Sequence, residues 1–253
     1  MAGHTSGQTL EGKAVFLTGA ARRIGAAMAR AFHSAGASVI IHYRGSRQEA
    51  DALAEALEEA RPDSAVVVRG DLLDTAGLPG LVNRAVEAFG RLDVLVNNAS
   101  TFYPTPVGQI TETAWEDLIG TNLKAPLFLS QAAAPWLKES RGLIVNMVDI
   151  HARRPVANHP VYCAAKAGLT MLTFALARDL GPEIRVNGIA PGAVLWPESG
   201  LEPGDKDAIL AEVPLGRAGD PADIAATALF LARDAGYISG QIIAVDGGRS
   251  TGF

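Results

Sequence analysis

Tyr162 and Lys166 stand four residues apart in an alanine-rich segment, and Asp149 precedes the tyrosine by thirteen positions. On a helix, residues i and i+4 share one face a turn apart. An ammonium near a phenol favours the phenolate and draws the tyrosine pKa down, which makes a tunable proton donor. A carboxylate in the same place works the other way and keeps a proton available. The run Leu143-Ile144-Val145-Asn146-Met147-Val148 reads as a strand buried on both faces. Asp149 then falls just past its carboxyl end, where open α/β sheets place their ligands. Asp149, Tyr162 and Lys166 are therefore the candidate catalytic group. A Tyr-x-x-x-Lys spacing also arises by chance on helices, so the rest of the chain has to supply the context.

That context is an alternation of apolar runs and helical stretches. Strands are expected at residues 13–18, 38–43, 65–69, 92–96, 143–148, 184–189 and 241–245. Helices are expected at 20–35, 48–60, 78–89, 113–137 and 221–232, with one more carrying Tyr162 as far as about residue 180. The 113–137 helix is expected to bend near Pro126 and to close at Pro135. Such alternation implies right-handed crossovers and a doubly wound parallel sheet with helices on both faces, an α/β fold. A flexible polar tail is expected at 1–9 and a single domain over 10–253. Residues 191–205, with three prolines and three glycines, read as a substrate loop or as a merely irregular one.

Composition narrows the function. Of the 253 residues, 48% are hydrophobic and 19% charged, which supports a sizeable core. A net charge of -5 gives no electrostatic case for nucleic acid. The single cysteine, Cys163, excludes an intrachain disulfide, offers no clustered metal site, and reads as a small buried residue. The first residues lack the basic and apolar regions of a signal peptide, and there is no run of 18 apolar residues. No membrane span is expected, and the expected compartment is the cytoplasm.

Three stretches at strand ends carry further chemistry. Thr18-Gly19-Ala20-Ala21-Arg22-Arg23-Ile24-Gly25 lies between a strand and a helix, where backbone amides attract a pyrophosphate. Arginines at the amide end of a helix oppose its dipole unless an anion sits there. After the second strand, His42-Tyr43-Arg44-Gly45-Ser46-Arg47 has no carboxylate to bind ribose hydroxyls and repel a phosphate. Arg44 and Ser46 suit a 2'-phosphate, so NADPH is expected over NADH, although a basic turn facing water is the plainer alternative. After the fourth strand, Asn97-Asn98-Ala99-Ser100-Thr101-Phe102 suits close approach to a cofactor, with Phe102 either stacked on a flat ring or packed in the core. Trp196 either covers the pocket or packs beneath its loop. His151, Arg153, Arg154 and His159 read as a solvated loop, with one of them touching a substrate tail as the alternative.

Together these features resemble the short-chain dehydrogenase/reductase family over essentially the whole chain. The family's Asn-Asn-Ala run falls at Asn97 to Ala99, its mid-helix asparagine at Asn122 and its Tyr-x-x-x-Lys at Tyr162 and Lys166. Its Pro-Gly falls at Pro191-Gly192 and its terminal Asp-Gly-Gly at Asp246 to Gly248. The resemblance implies a Rossmann-like sheet of about seven strands and a homotetramer. It implies Asn122 as a catalytic residue holding a relay water. It also implies a cofactor site of Gly19, Arg22, Arg23, Ile24, Gly25, Tyr43, Arg44, Ser46, Asp71, Leu72, Asn98, Ala99, Ser100, Tyr162, Lys166, Pro191 and Gly192.

Two departures point to one branch. Most members carry serine where this chain has Asp149, and glycine where it has Arg23. With Asn97 to Pro106 and His42-Tyr43, these changes resemble the pteridine reductases. That resemblance implies a pterin-like substrate touching Arg23, Ser100, Phe102, Asp149 and Tyr162, stacked between Phe102 and nicotinamide. One mismatch is Gly45, where that branch follows its arginine directly with serine. The expected activity is NADPH-dependent reduction of a pterin, dihydropterin or dihydrofolate C=N bond. The alternatives are a carbonyl reductase or alcohol dehydrogenase for a sugar, acyl or steroid-like substrate, and a cofactor-binding regulator without turnover.

Overall fold

The protein is described by a computed structural model covering residues 9–196 and 204–251. Most of the expected N-terminal tail and the middle of the expected substrate loop lie outside these residues. Seven strands form one sheet: β1 (Ala14–Leu17), β2 (Ser38–Tyr43), β3 (Ala65–Arg69), β4 (Val94–Asn97), β5 (Leu143–Met147), β6 (Arg185–Pro191) and β7 (Ile242–Val245). Their order is β3-β2-β1-β4-β5-β6-β7, and every neighbouring pair is parallel. This is the doubly wound sheet that the alternation predicts.

Side-chain alternation divides the core between the two faces. Val15, Leu17, Val39 and Ile41 pack under α1 (Arg23–Ser34), α2 (Arg47–Ala60) and α8 (Pro221–Arg233). Phe16, Ile40, Leu95 and Ile144 point the other way, under α3 (Leu78–Glu87) and α5 (Ala125–Ser140). With both faces covered, the strands can be continuously apolar, and β1 and β5 are buried throughout. At the amino end of β1, Asp93 receives the Ala14 amide at 2.9 Å, Lys13 Nζ at 3.0 Å and Arg91 Nε at 2.7 Å. Burial alone would raise its pKa, but these donors hold it below the ordinary carboxylate value. That end is a structural clamp. The chemistry sits at the opposite end, where β1 and β4 meet and the strand order reverses.

Three expectations need correction. The helix expected at 20–35 begins only at Arg23, because Arg22 is extended and the glycine turn runs longer. The helix expected at 113–137 is α4 (Glu112–Ile119), a π-helical turn (Gly120–Lys124) and α5. Pro126 opens α5, where a missing amide costs nothing, whereas Pro135 lies inside α5 without closing it. Gln131 and Pro135 are both exposed, so the carbonyl that loses its partner faces water. The helix ends instead at Arg141, in the left-handed region at φ 53°. The third is a short helix, α7 (Asp205–Ala211), that the sequence reading leaves unassigned.

α6 (Pro160–Asp179) spans 20 residues at mean hydropathy 1.3, long and apolar enough by those measures to cross a membrane. Here it packs against the sheet and carries the fully buried Lys166 inward, so it is a core helix.

Candidate active site

The glycine turn after β1 is shaped by contacts that leave no room for side chains. Gly19 takes φ +59°, and a Cβ there would meet Ala99 Cα at 2.9 Å. At Gly25 a Cβ would meet the Gly19 carbonyl at 2.6 Å. Thr18 fastens the turn to the β4 loop: its Oγ1 accepts the Asn98 and Ala99 amides at 2.9 and 3.0 Å. Asn98 Nδ2 returns the bond to the Thr18 carbonyl at 2.8 Å. Between the glycines, Arg23 is held at φ +56°. A left-handed arginine costs about 1–2 kcal/mol, strain of the kind that gathers at functional sites. Its guanidinium donates to the Trp196 carbonyl at 3.3 Å, tying the turn to the segment after β6. The Trp196 ring meets Lys206, whose Nζ lies 5.7 Å from the ring centre.

This turn borders a cleft of about 500 Å³, a volume typical of a small-molecule site. Gly19, Arg22, Arg23, Ile24, Gly25, Tyr43, Arg44, Ser46, Asp71, Leu72, Asn98, Ala99 and Ser100 line it, as expected of a dinucleotide cradle. Tyr162, Lys166, Pro191 and Gly192 are not among the lining residues. Gly192 has a packing reason of its own, since a Cβ there would meet Asp246 Cβ at 2.6 Å. The cofactor set expected from the sequence omitted Ala21, His42, Gly45, Thr101 and Thr121, which also line the cleft. All five adjoin a residue that was singled out, Thr121 standing next to Asn122 and the others at strand ends.

Beyond the cleft, the catalytic candidates meet. Tyr162 Oη donates to Asp149 Oδ2 at 2.7 Å, and the His151 amide donates to Asp149 Oδ1 at 2.8 Å. Both carboxylate oxygens are thus oriented. α6 supplies Tyr162 and Lys166 from one face, and Asp149 follows β5 as predicted. Lys166 Nζ donates to the Met147 carbonyl at 2.8 Å and stands 5.6 Å from the Tyr162 ring centre. Burial pulls its pKa down to about 8, with Asp149 opposing.

The phenol, however, is not drawn down. Burial first, and then the Asp149 charge and hydrogen bond, push the Tyr162 pKa well above its ordinary value. The nearby Ser100 hydroxyl opposes them. The lysine tuning read from the Tyr-x-x-x-Lys spacing therefore loses to burial and the nearer carboxylate, the second of which the sequence already sets against it.

Asn122 sits in the π-helical turn, a kind of irregularity frequent at functional sites. Its Nδ2 donates to the Thr101 and Leu118 carbonyls at 2.9 and 3.0 Å, which leaves Oδ1 to accept Ser100 Oγ at 2.6 Å. Asn122 therefore orients the Ser100 hydroxyl, whose single proton it accepts. Phe102 is 48% exposed and is not a core residue. His159 stacks on its ring at 4.4 Å, while the Tyr162 ring meets it edge-on at 4.8 Å. His159 thus belongs to the site rather than to a plain solvated loop, whereas His151 Nδ1 pairs with the Arg154 carbonyl at 2.8 Å. Cys163 is buried beside Tyr162, as expected.

A family model described as enoyl-(acyl carrier protein) reductase matches residues 19–250. The chain belongs to the short-chain dehydrogenase/reductase family. An uncharacterized oxidoreductase of Methylorubrum extorquens is 37% identical over 245 residues, covering 94% of this chain and 98% of the relative. The 3-oxoacyl-(acyl-carrier-protein) reductase FabG of Staphylococcus aureus, strain Mu50, is 35% identical over 240 residues, covering 93% and 97%. The same-named protein of strain MW2 matches to the same extent. The chain is thus an oxidoreductase of this family, and the glycine cradle and its cleft fit the family's nicotinamide dinucleotide.

Proposed function

We propose that the chain is an NADPH-dependent reductase of a ring C=N bond in a pterin, dihydropterin or dihydrofolate. The observation that carries this reading is the Asp149 carboxylate, which accepts the Tyr162 proton at 2.7 Å. Reduction of a ketone calls for neutral donors around the developing oxyanion, and a carboxylate there would repel it. Reduction of a ring C=N bond calls for a proton on nitrogen, and a nearby carboxylate stabilises the protonated ring. The dinucleotide, when bound, supplies the hydride. Asp149, held by two donors, orients and stabilises the heterocycle. Tyr162 holds the proton that moves to ring nitrogen, and Ser100 with Asn122 lies behind it as the polar connection. Lys166 fixes the β5–α6 geometry and offers a cation to the cofactor ribose. Phe102 offers an aromatic surface to a flat ring. Arg44 and Ser46, in the cleft at the end of β2, support the choice of NADPH.

We take the working form to be a homotetramer, for which the exposed Phe128 on α5 and Met171 on α6 provide apolar surface. A second reading, reduction of a 3-oxoacyl thioester, is favoured by the printed function of the S. aureus relatives. NADPH and NADH oxidation should be followed with a dihydropterin, a dihydrofolate and a 3-oxoacyl thioester. Turnover of the heterocycles with NADPH is expected; turnover of the thioester alone would end the pterin reading.

A further inference from the structure

His42 is buried at the end of β2, and no step above uses it. Its two ring nitrogens are both engaged, and in opposite senses. The Gly19 amide donates to Nδ1 at 3.1 Å, so Nδ1 carries no proton. Nε2 faces the Gly70 carbonyl at 3.2 Å, an acceptor, so Nε2 carries the proton. The neighbouring backbone repeats the link, because the Ala20 amide donates to the His42 carbonyl and the Gly70 amide to the Tyr43 carbonyl. One imidazole therefore bridges the glycine turn after β1 and the end of β3, where Asp71 and Leu72 enter the cleft. Phe16 meets its ring edge-on at 6.3 Å and fixes its plane.

We propose that His42 is the positioning residue of the dinucleotide cleft: its neutral Nε2–H tautomer sets the separation between the pyrophosphate turn and the β3 end. This rests on the dinucleotide part of the reading above and is independent of the pterin. Protonation would put a second N–H against the Gly19 amide and break the bridge. Burial keeps the ring neutral, pulling its pKa down to about 4, and the Gly70 carbonyl and Asp71 work against that. The other charged groups lining the cleft are Arg22 and Arg23 from the β1 turn and Arg44 from the same strand end.

The test compares wild type with His42→Phe and His42→Asn, where asparagine keeps one acceptor and one donor. NADPH and NADH affinities are measured by fluorescence titration, with thermal unfolding recorded on the same samples. Nitrogen-15 imidazole spectra report the tautomer. The phenylalanine variant is expected to bind NADPH about tenfold more weakly, and the asparagine variant to recover most of that loss. The wild-type ring is expected to show the Nε2–H tautomer down to about pH 5, with NADPH affinity falling only below that point. Should the phenylalanine variant fail to fold, the tautomer and the pH profile of wild type against His42→Asn decide. Equal NADPH affinity in wild type and a folded phenylalanine variant, or an Nδ1–H tautomer, would overturn the proposal. Failure of the wild type to bind either dinucleotide would instead sink the cofactor reading, and the proposal with it.

Discussion

Tyr162 donates its hydroxyl hydrogen bond to Asp149 across 2.7 Å, while Lys166, four residues along the same helix, donates to a backbone carbonyl. The acid-base balance of the site follows from that division. A phenolate beside a carboxylate is a second negative charge in a buried place, so the phenol resists ionisation. Ultraviolet titration should therefore find Tyr162 still protonated above about pH 10, the ordinary tyrosine value. In Asp149→Asn, the same tyrosine should ionise at lower pH. A Tyr162 that titrates at or below its ordinary value in the wild type would contradict this.

Lys166 trades stability for position. Its folded pKa of about 8 lies below that of an unfolded lysine, so the folded state resists the proton. The stability cost is absent at high pH, grows as pH falls from about 10.4 towards 8, and is complete below that, at about 3 kcal/mol. Lys166→Met should unfold at higher temperature than wild type near neutral pH and lose most activity. In wild type, turnover should decline as pH rises through about 8, when the ammonium is lost. Calorimetry and a pH–rate profile check both.

Arg23 occupies a backbone position suited to glycine, at φ +56°. Arg23→Gly should relieve about 1 kcal/mol of strain, offset in part by the glycine's greater freedom when unfolded. The melting temperature should change by only a few degrees, while NADPH affinity should fall about tenfold as the cation leaves the cleft. Isothermal titration beside thermal unfolding separates the two effects.

Much of this architecture can be read from apolar runs alone. β2 falls where Ser38 to Tyr43 place it because both faces of the sheet are covered there, and the half-buried edge strand β3 falls where its valine run, Ala65 to Arg69, places it. The break between α4 and α5 cannot be read that way. Gly120 weakens the helix but a lone glycine does not specify a π-helical turn, and that turn accompanies Asn122 bonding to Thr101, a tertiary contact. α7 was missed because its seven residues are too few to show a repeated apolar spacing. At the site, spacing placed Asp149, Tyr162 and Lys166 together. It did not reveal which neighbour would govern the phenol, because that depends on where Lys166 Nζ points. The bridging role of His42 was not read because it lies in two backbone partners, Gly19 and Gly70, that no local pattern connects.

The most direct test of the account replaces one carboxylate. Steady-state kcat/KM for a dihydropterin, with NADPH saturating, should be compared between wild type and Asp149→Ser. The account predicts a loss of about a hundredfold or more, equivalent to about 3 kcal/mol of transition-state stabilisation. Unchanged dihydropterin reduction by the serine variant would contradict it.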